Sequence, residues 1–97
     1  MQLATVVGQV VSTVKENGLE RFTLLLVQDT KDGNPRRTSG DPYVALDLVG
    51  AGTGEVVLVT GGSAARVAAG LDTPTDRAVV AIADSVIRAG EVTYRKA

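Results

Sequence analysis

Three glycines at alternate positions, Gly50, Gly52 and Gly54, lie in the stretch Asp47-Leu-Val-Gly-Ala-Gly-Thr-Gly-Glu-Val-Val-Leu-Val59, between two runs dense in Val and Leu. Gly50 and Gly52 supply the first half of G-x-G-x-x-G, the loop that cradles a dinucleotide pyrophosphate at a helix N-terminus. Here Gly54 comes one place early, and Val56, Val57, Leu58 and Val59 follow as a strand. No helix N-terminus is then available to face a phosphate. The expected arrangement is strand, tight glycine turn, strand, with the glycines leaving bare backbone for the chain or a neighbouring subunit to pack against.

Two further groups carry chemistry. Asp47 sits inside an apolar strand, where a carboxylate must be ion-paired, hydrogen-bonded or turned to solvent. Arg66 is its candidate partner, and a solvated strand edge is the equal alternative. Gly62-Ser63 precedes a short helical run, so Ser63 is expected to cap it, and its first N–H groups are a candidate anion site without a second signal to support it. No catalytic constellation emerges. Histidine is absent, which removes the usual general base and the commonest metal ligand. No serine lies in a nucleophile elbow or Ser-x-x-Lys setting. The acids are scattered; Asp47 with Asp84 could pair in space, though acids on strands near subunit contacts are more often salt-bridged, and cysteine is absent. The sequence therefore supports no catalytic residue, no metal ligand and no cofactor.

The elements that must position these residues are mostly strands. Leu3 to Val14 is apolar on both parities, with Gly8 marking a bend of the kind found at barrel corners. Lys15 to Glu20, around Asn17-Gly18, is a hairpin signal, and the next strand runs from Phe22 to Gln28. Asp29 to Pro42 holds two turn clusters and reads as a loop with Arg36-Arg37 at a solvated tip. Strands follow over Tyr43 to Val49 and Glu55 to Thr60, then a helix of two turns at most over Ala64 to Ala69, ended by Gly70. Residues 73 to 90 are ambiguous: Thr73-Pro74-Thr75-Asp76 opens a helix well, yet Val79, Val80, Ile82, Val86 and Ile87 crowd both faces as in a buried strand. Residues 88–97 are a candidate C-terminal arm or edge strand.

Ninety-seven residues make one domain, expected to span 1–97, and a chain this short buries only about 60–65% of its unfolded surface. Yet 44% of it is hydrophobic, almost all small aliphatic side chains, with Phe22, Tyr43 and Tyr94 the only aromatics. Burial between subunits is the natural outlet. The net charge of −1 lacks the footprint of a nucleic-acid binder. No apolar run approaches the 18 or so residues of a membrane span, and no signal-peptide pattern opens the chain. It reads as soluble and unprocessed.

The glycine stretch, D-x-V-G-A-G-x-G-E-x-V-L-V, followed by Gly62-Ser63-Ala64-Ala65-Arg66, resembles the signature of the EutN/CcmL family. Val6-Val-Gly-x-Val10, Leu24-Leu-Leu-Val-Gln28, Thr73-Pro-x-Asp76 and Asp84-Ser-Val86 extend the likeness over most of the chain; a second serine common after Gly-Ser in the family is Ala64 here. The resemblance implies an all-β fold, a five-stranded OB-like barrel with one short helix, and decides residues 77–88 for strand. It implies a cyclic homopentamer that caps the vertices of a bacterial microcompartment shell, beside hexameric shell proteins and inside the bacterial cytoplasm. Gly50, Gly52, Gly54, Asp47, Gly62, Ser63 and Arg66 are then candidates for subunit, shell or pore contacts. The rival readings of such a barrel are a single-stranded nucleic-acid module, which would need aromatic stacking and a basic groove, and a small-ligand binder.

Overall fold

The computed structural model describes residues 1–96. Its strands are β1 (Gln2–Val10), β2 (Thr23–Lys31), β3 (Asn34–Asp47), β4 (Val56–Gly61) and β5 (Arg77–Ile82), with helix α1 (Gly62–Ala69) between the last two. These five strands close into a barrel in the order β1-β2-β3-β5-β4, with β4 pairing back onto β1. All neighbours are antiparallel except β3 and β5, which run parallel over Leu46↔Ala78 and Asp47↔Val79. Two further strands, β6 (Ser85–Arg88) and β7 (Glu91–Arg95), form a separate hairpin.

The pleat sends alternate residues to opposite sides. Inward go Ala4, Val6, Leu25, Val27, Ala45, Val57, Val59 and Val79, a core of small aliphatic side chains suited to a narrow cylinder. The outward residues between them are apolar as well: Leu24, Leu26 and Val44 on one side, Leu3, Leu58 and Ala81 on another. The doubled aliphatic pattern of the sequence is thus a filled barrel with an apolar outer wall. Gly8 marks an irregularity as expected: the register shifts between Val6 and Gly8, and the extra residue, Val7, is left 40% exposed.

Four expectations are corrected. First, β1 ends at Val10, where it meets Leu24, and Val11 and Val14 stand 84% and 88% exposed. Asn17–Leu19 is a 3₁₀ turn within a longer connection, not a two-residue hairpin. Gly18 serves close approach there, since a Cβ on it would lie 2.5 Å from Pro74 Cδ. Second, Asp29 to Pro42 is not a loop. β2 and β3 continue as an arm to a two-residue turn at Asp32 (φ 55°) and Gly33 (φ 71°), the Asp-Gly pair and backbone of a type I′ turn. Pro35 and Pro42 fit because this part of β3 pairs on one side only.

Third, the glycine stretch does not join neighbouring strands. β3 and β4 are not paired, so residues 48–55 cross the barrel end from one to the other. Fourth, Ser63 does not cap α1. The N-cap is Gly61, which has no side chain to cap with, and the Gly62 N–H donates to the Asp76 carbonyl at 2.9 Å. Gly70 does end the helix, its N–H donating to the Arg66 carbonyl. Residues 77–88 are extended, broken at Ala83-Asp84 into β5 and β6.

The β6–β7 hairpin is fastened at two places. Near the arm, Arg88 holds the Asp32 carboxylate at 2.9 Å, the Thr93 hydroxyl donates to the Asp32 carbonyl, and Val86 covers the face of Gly33. At its base the Lys96 N–H donates to the Asp84 carbonyl, and the Lys96 ammonium meets Glu55 at 2.6 Å.

Candidate functional site

The glycine loop is built by two of its own carboxylates. Asp47, the last residue of β3, accepts through one oxygen from the N–H groups of Val49, Gly50 and Ala51 at 3.1, 3.0 and 3.3 Å. Glu55, just before β4, accepts from the Gly52 N–H at 2.6 Å and returns its own N–H to the Gly52 carbonyl at 3.1 Å. Four successive N–H groups therefore point at carboxylates. The loop then joins the barrel, Gly54 N–H donating to the Val6 carbonyl and Val6 N–H to the Glu55 carbonyl. Gly50 (φ 78°) and Gly54 (φ 91°) occupy the left-handed region that favours glycine. Gly52 does not, and a Cβ there would meet only the Glu55 carboxylate, at an ordinary 3.5 Å.

This geometry decides the chemistry of the loop. A phosphate cradle needs free N–H groups converging on the anion. Here those donors are spent, and the acceptors are two acids whose charge would repel a phosphate. Lys96 extends the system. Its bond to Glu55, then the Gly52 N–H, holds the Glu55 carboxyl below the ordinary glutamate range, and the same bond raises Lys96. The C-terminal segment, the glycine loop and β1 are thus linked through Glu55.

The remaining sequence candidates fall elsewhere. Arg66 is exposed on α1 and makes no bond to Asp47, whose carboxylate is occupied by the loop. Of the three states open to Asp47, the structure takes the hydrogen-bonded one: it is half-buried and bonded to backbone rather than paired with Arg66. Asp84 is exposed, and its carbonyl accepts from the Lys96 N–H. Gly62 and Ser63 are exposed at the start of α1. Sequence reasoning missed Glu55 as a loop acceptor. It also missed Asp47 as an Asx cap, although an Asp two and three residues before a turning backbone is the signal for one.

A shallow cleft of about 250 Å³ lies apart from the loop, lined by Met1, Gln2, Asp29, Tyr43, Val59, Gly61 and Arg77. The Tyr43 hydroxyl donates to Asp29 at 2.7 Å, and the Arg77 guanidinium stands 5.3 Å from the ring centre. Burial, then the bond to Asp29 and its charge, push the phenol above its ordinary range. Tyr43 is therefore a fixed donor rather than a base or nucleophile.

Comparison with known proteins adds the kinship of the whole chain. The family described as "Ethanolamine utilisation protein EutN/carboxysome" matches residues 1–84. The bacterial microcompartment shell vertex protein EutN of Escherichia coli is 45% identical over 98 residues, covering 99% of this chain and all of that protein. The solved structure of the carboxysome subunit CcmL superposes with a TM-score of 0.89 at 45% identity, over the full length of both chains. The GrpN pentameric microcompartment shell protein from Rhodospirillum rubrum has a TM-score of 0.78 at 40% identity, covering 91% of this chain and 98% of that one.

Proposed function

We propose a function from one premise: the chain belongs to the EutN/CcmL family. It is a structural protein that closes into a ring of five and caps the vertices of a bacterial microcompartment shell in the cytoplasm, set among hexameric shell proteins. A flat hexagonal sheet cannot close, and five-fold units supply its curvature. The observation that carries this reading is the full-length likeness to a shell vertex protein, with a pentameric relative on the same barrel. The apolar outer wall agrees with it, since a ring of small barrels needs aliphatic surface on more than one side of each subunit. No catalytic or cofactor role is assigned. The purified chain should run as a pentamer in native mass spectrometry at micromolar concentration. A stable, monodisperse monomer would refute the vertex reading.

The glycine loop and the start of α1 are the surfaces we assign to assembly, through Gly50, Gly52, Gly54, Asp47, Gly62, Ser63 and Arg66. With its own N–H groups satisfied, the loop presents bare backbone that a neighbouring subunit or shell tile can approach closely. Gly52 gives the clean test, because the fold itself tolerates a side chain there. Gly52→Val and Gly52→Asp should both keep the barrel's circular dichroism yet impair ring formation or vertex occupancy. The readouts are native mass and electron microscopy of shells co-expressed with a hexameric shell protein. Folded variants that assemble and fill vertices as the parent does would reduce Gly52 to a turn residue.

A further inference from the structure

The cleft beside Tyr43 carries two opposite charges that neither the barrel nor the vertex reading uses. Four strands bring its residues together: Asp29 near the end of β2, Tyr43 in β3, Gly61 at the end of β4 and Arg77 at the start of β5. The register sets Gly61 directly opposite Arg77. Because residue 61 has no side chain, the guanidinium lies against bare backbone: a Cβ there would stand 2.8 Å from Arg77 Nη1. On its other side the guanidinium stands 5.3 Å from the Tyr43 ring centre, within reach of a cation–π contact. Backbone and ring together place this planar fork of donors in the cleft.

The fork is almost unspent. Among the described residues its one acceptor is the Asp76 carbonyl, at a long 3.5 Å. Arg77 is in neither of the two ion pairs there, Arg88–Asp32 and Lys96–Glu55. Asp29 is half-buried and only partly engaged. One carboxylate oxygen accepts from the Tyr43 hydroxyl at 2.7 Å, and among the described residues no side chain donates to the other. Tyr43 therefore touches both charges, while the charges themselves stay apart.

This charge pattern selects a ligand. An anion drawn to Arg77 would also meet the Asp29 carboxylate, and a cation drawn to Asp29 would meet the guanidinium. A molecule carrying both charges on neighbouring groups satisfies the two at once. Its carboxylate takes two parallel N–H bonds from the fork, and its ammonium donates to the free Asp29 oxygen. The cleft volume of about 250 Å³ falls below the roughly 300–1,000 Å³ of sites for drug-sized ligands, so the molecule has few heavy atoms. We infer that this cleft binds a small α-amino acid, its carboxylate on Arg77 and its ammonium on Asp29. The site belongs to a single subunit and stands or falls apart from the vertex reading.

Three probes of nearly one shape test this on the parent protein in its native assembly. L-alanine carries both charges, propionate only the carboxylate and ethylammonium only the ammonium. At neutral pH, L-alanine should shift the backbone amide resonances of Gly61 and Arg77 in a saturable way at millimolar concentration. Propionate and ethylammonium should each bind roughly tenfold more weakly or worse, since each leaves one charge of the cleft unmatched. Arg77→Gln and Asp29→Asn should each weaken L-alanine by a similar factor. Asp29→Asn keeps an acceptor for Tyr43, and circular dichroism reports the fold of both variants. The probe comparison uses the parent alone, so it decides the matter even where a variant fails to fold. No saturable shift with L-alanine up to tens of millimolar overturns the inference. So does propionate binding as tightly as L-alanine, or a folded variant that binds L-alanine as the parent does.

Discussion

Gly33→Ala should detach the C-terminal hairpin from the barrel arm and destabilise the chain by about 2–5 kcal/mol. Two causes act at once. The backbone at Gly33 is left-handed, φ 71°, which imposes about 1–2 kcal/mol on a residue with a Cβ. The new methyl would also sit 2.6 Å from Val86 Cγ2, and an overlap of this kind adds roughly 1–3 kcal/mol when the neighbour must shift. Val86 belongs to β6, so relief comes by moving the hairpin away. Hydrogen exchange should rise at least tenfold across β6 and β7 and stay unchanged at core positions such as Val27 and Val57. The double variant Gly33→Ala/Val86→Ala removes the clashing methyls and should recover about half the loss, leaving the backbone strain. Unchanged exchange in β6 and β7 of the single variant would mean that Val86 does not seat the hairpin on Gly33.

The same hairpin shows what the sequence made legible and what it did not. That strands would be apolar on both faces was visible in Val6-Val7 and Leu24-Leu25-Leu26-Val27, because a period of two leaves a direct trace in residue type. Closure of the barrel was not visible there; it came from family likeness, since the β3–β5 pairing joins residues some thirty apart by only two register pairs. Asn34 to Pro42 misled because Pro, Gly and Asp signal turns locally, whereas one free edge lets a strand carry both prolines. The better signal was Asp32-Gly33, a two-residue hairpin turn in its own right. Asp47 was recognised as a carboxylate needing a partner, but partners were sought among charged side chains. Val49, Gly50 and Ala51, just after it in the chain, supplied them as backbone N–H groups.

Asp47→Ala should therefore collapse the glycine loop and lower the thermal midpoint by about 8–16 °C. Three N–H groups lose their shared acceptor in one step. Those of Val49 and Gly50 lie in exposed residues and can turn to water, while Ala51 is half-buried and packs against the core. Weighing one poorly solvated donor and two that rehydrate gives a loss of about 2 kcal/mol. A chain of this size shifts its midpoint by roughly 4–8 °C per kcal/mol. Asp47→Asn keeps a side-chain carbonyl where the carboxylate stood, so it should retain the loop at about half the cost, the remainder being the charge-assisted part of the bonds. Asp47→Glu keeps the charge but moves it one methylene away, and should behave nearer to alanine if geometry governs. Melts must be run at one protein concentration, because assembly raises the midpoint by mass action. A salt bridge to Arg66 would have predicted something else: Arg66→Ala should then match Asp47→Ala. The loop geometry instead leaves Arg66→Ala within about 0.5 kcal/mol of the parent subunit, as for an exposed surface side chain. Equal losses in the two alanine variants, measured on the dissociated subunit, would overturn the assignment of Asp47 to the loop.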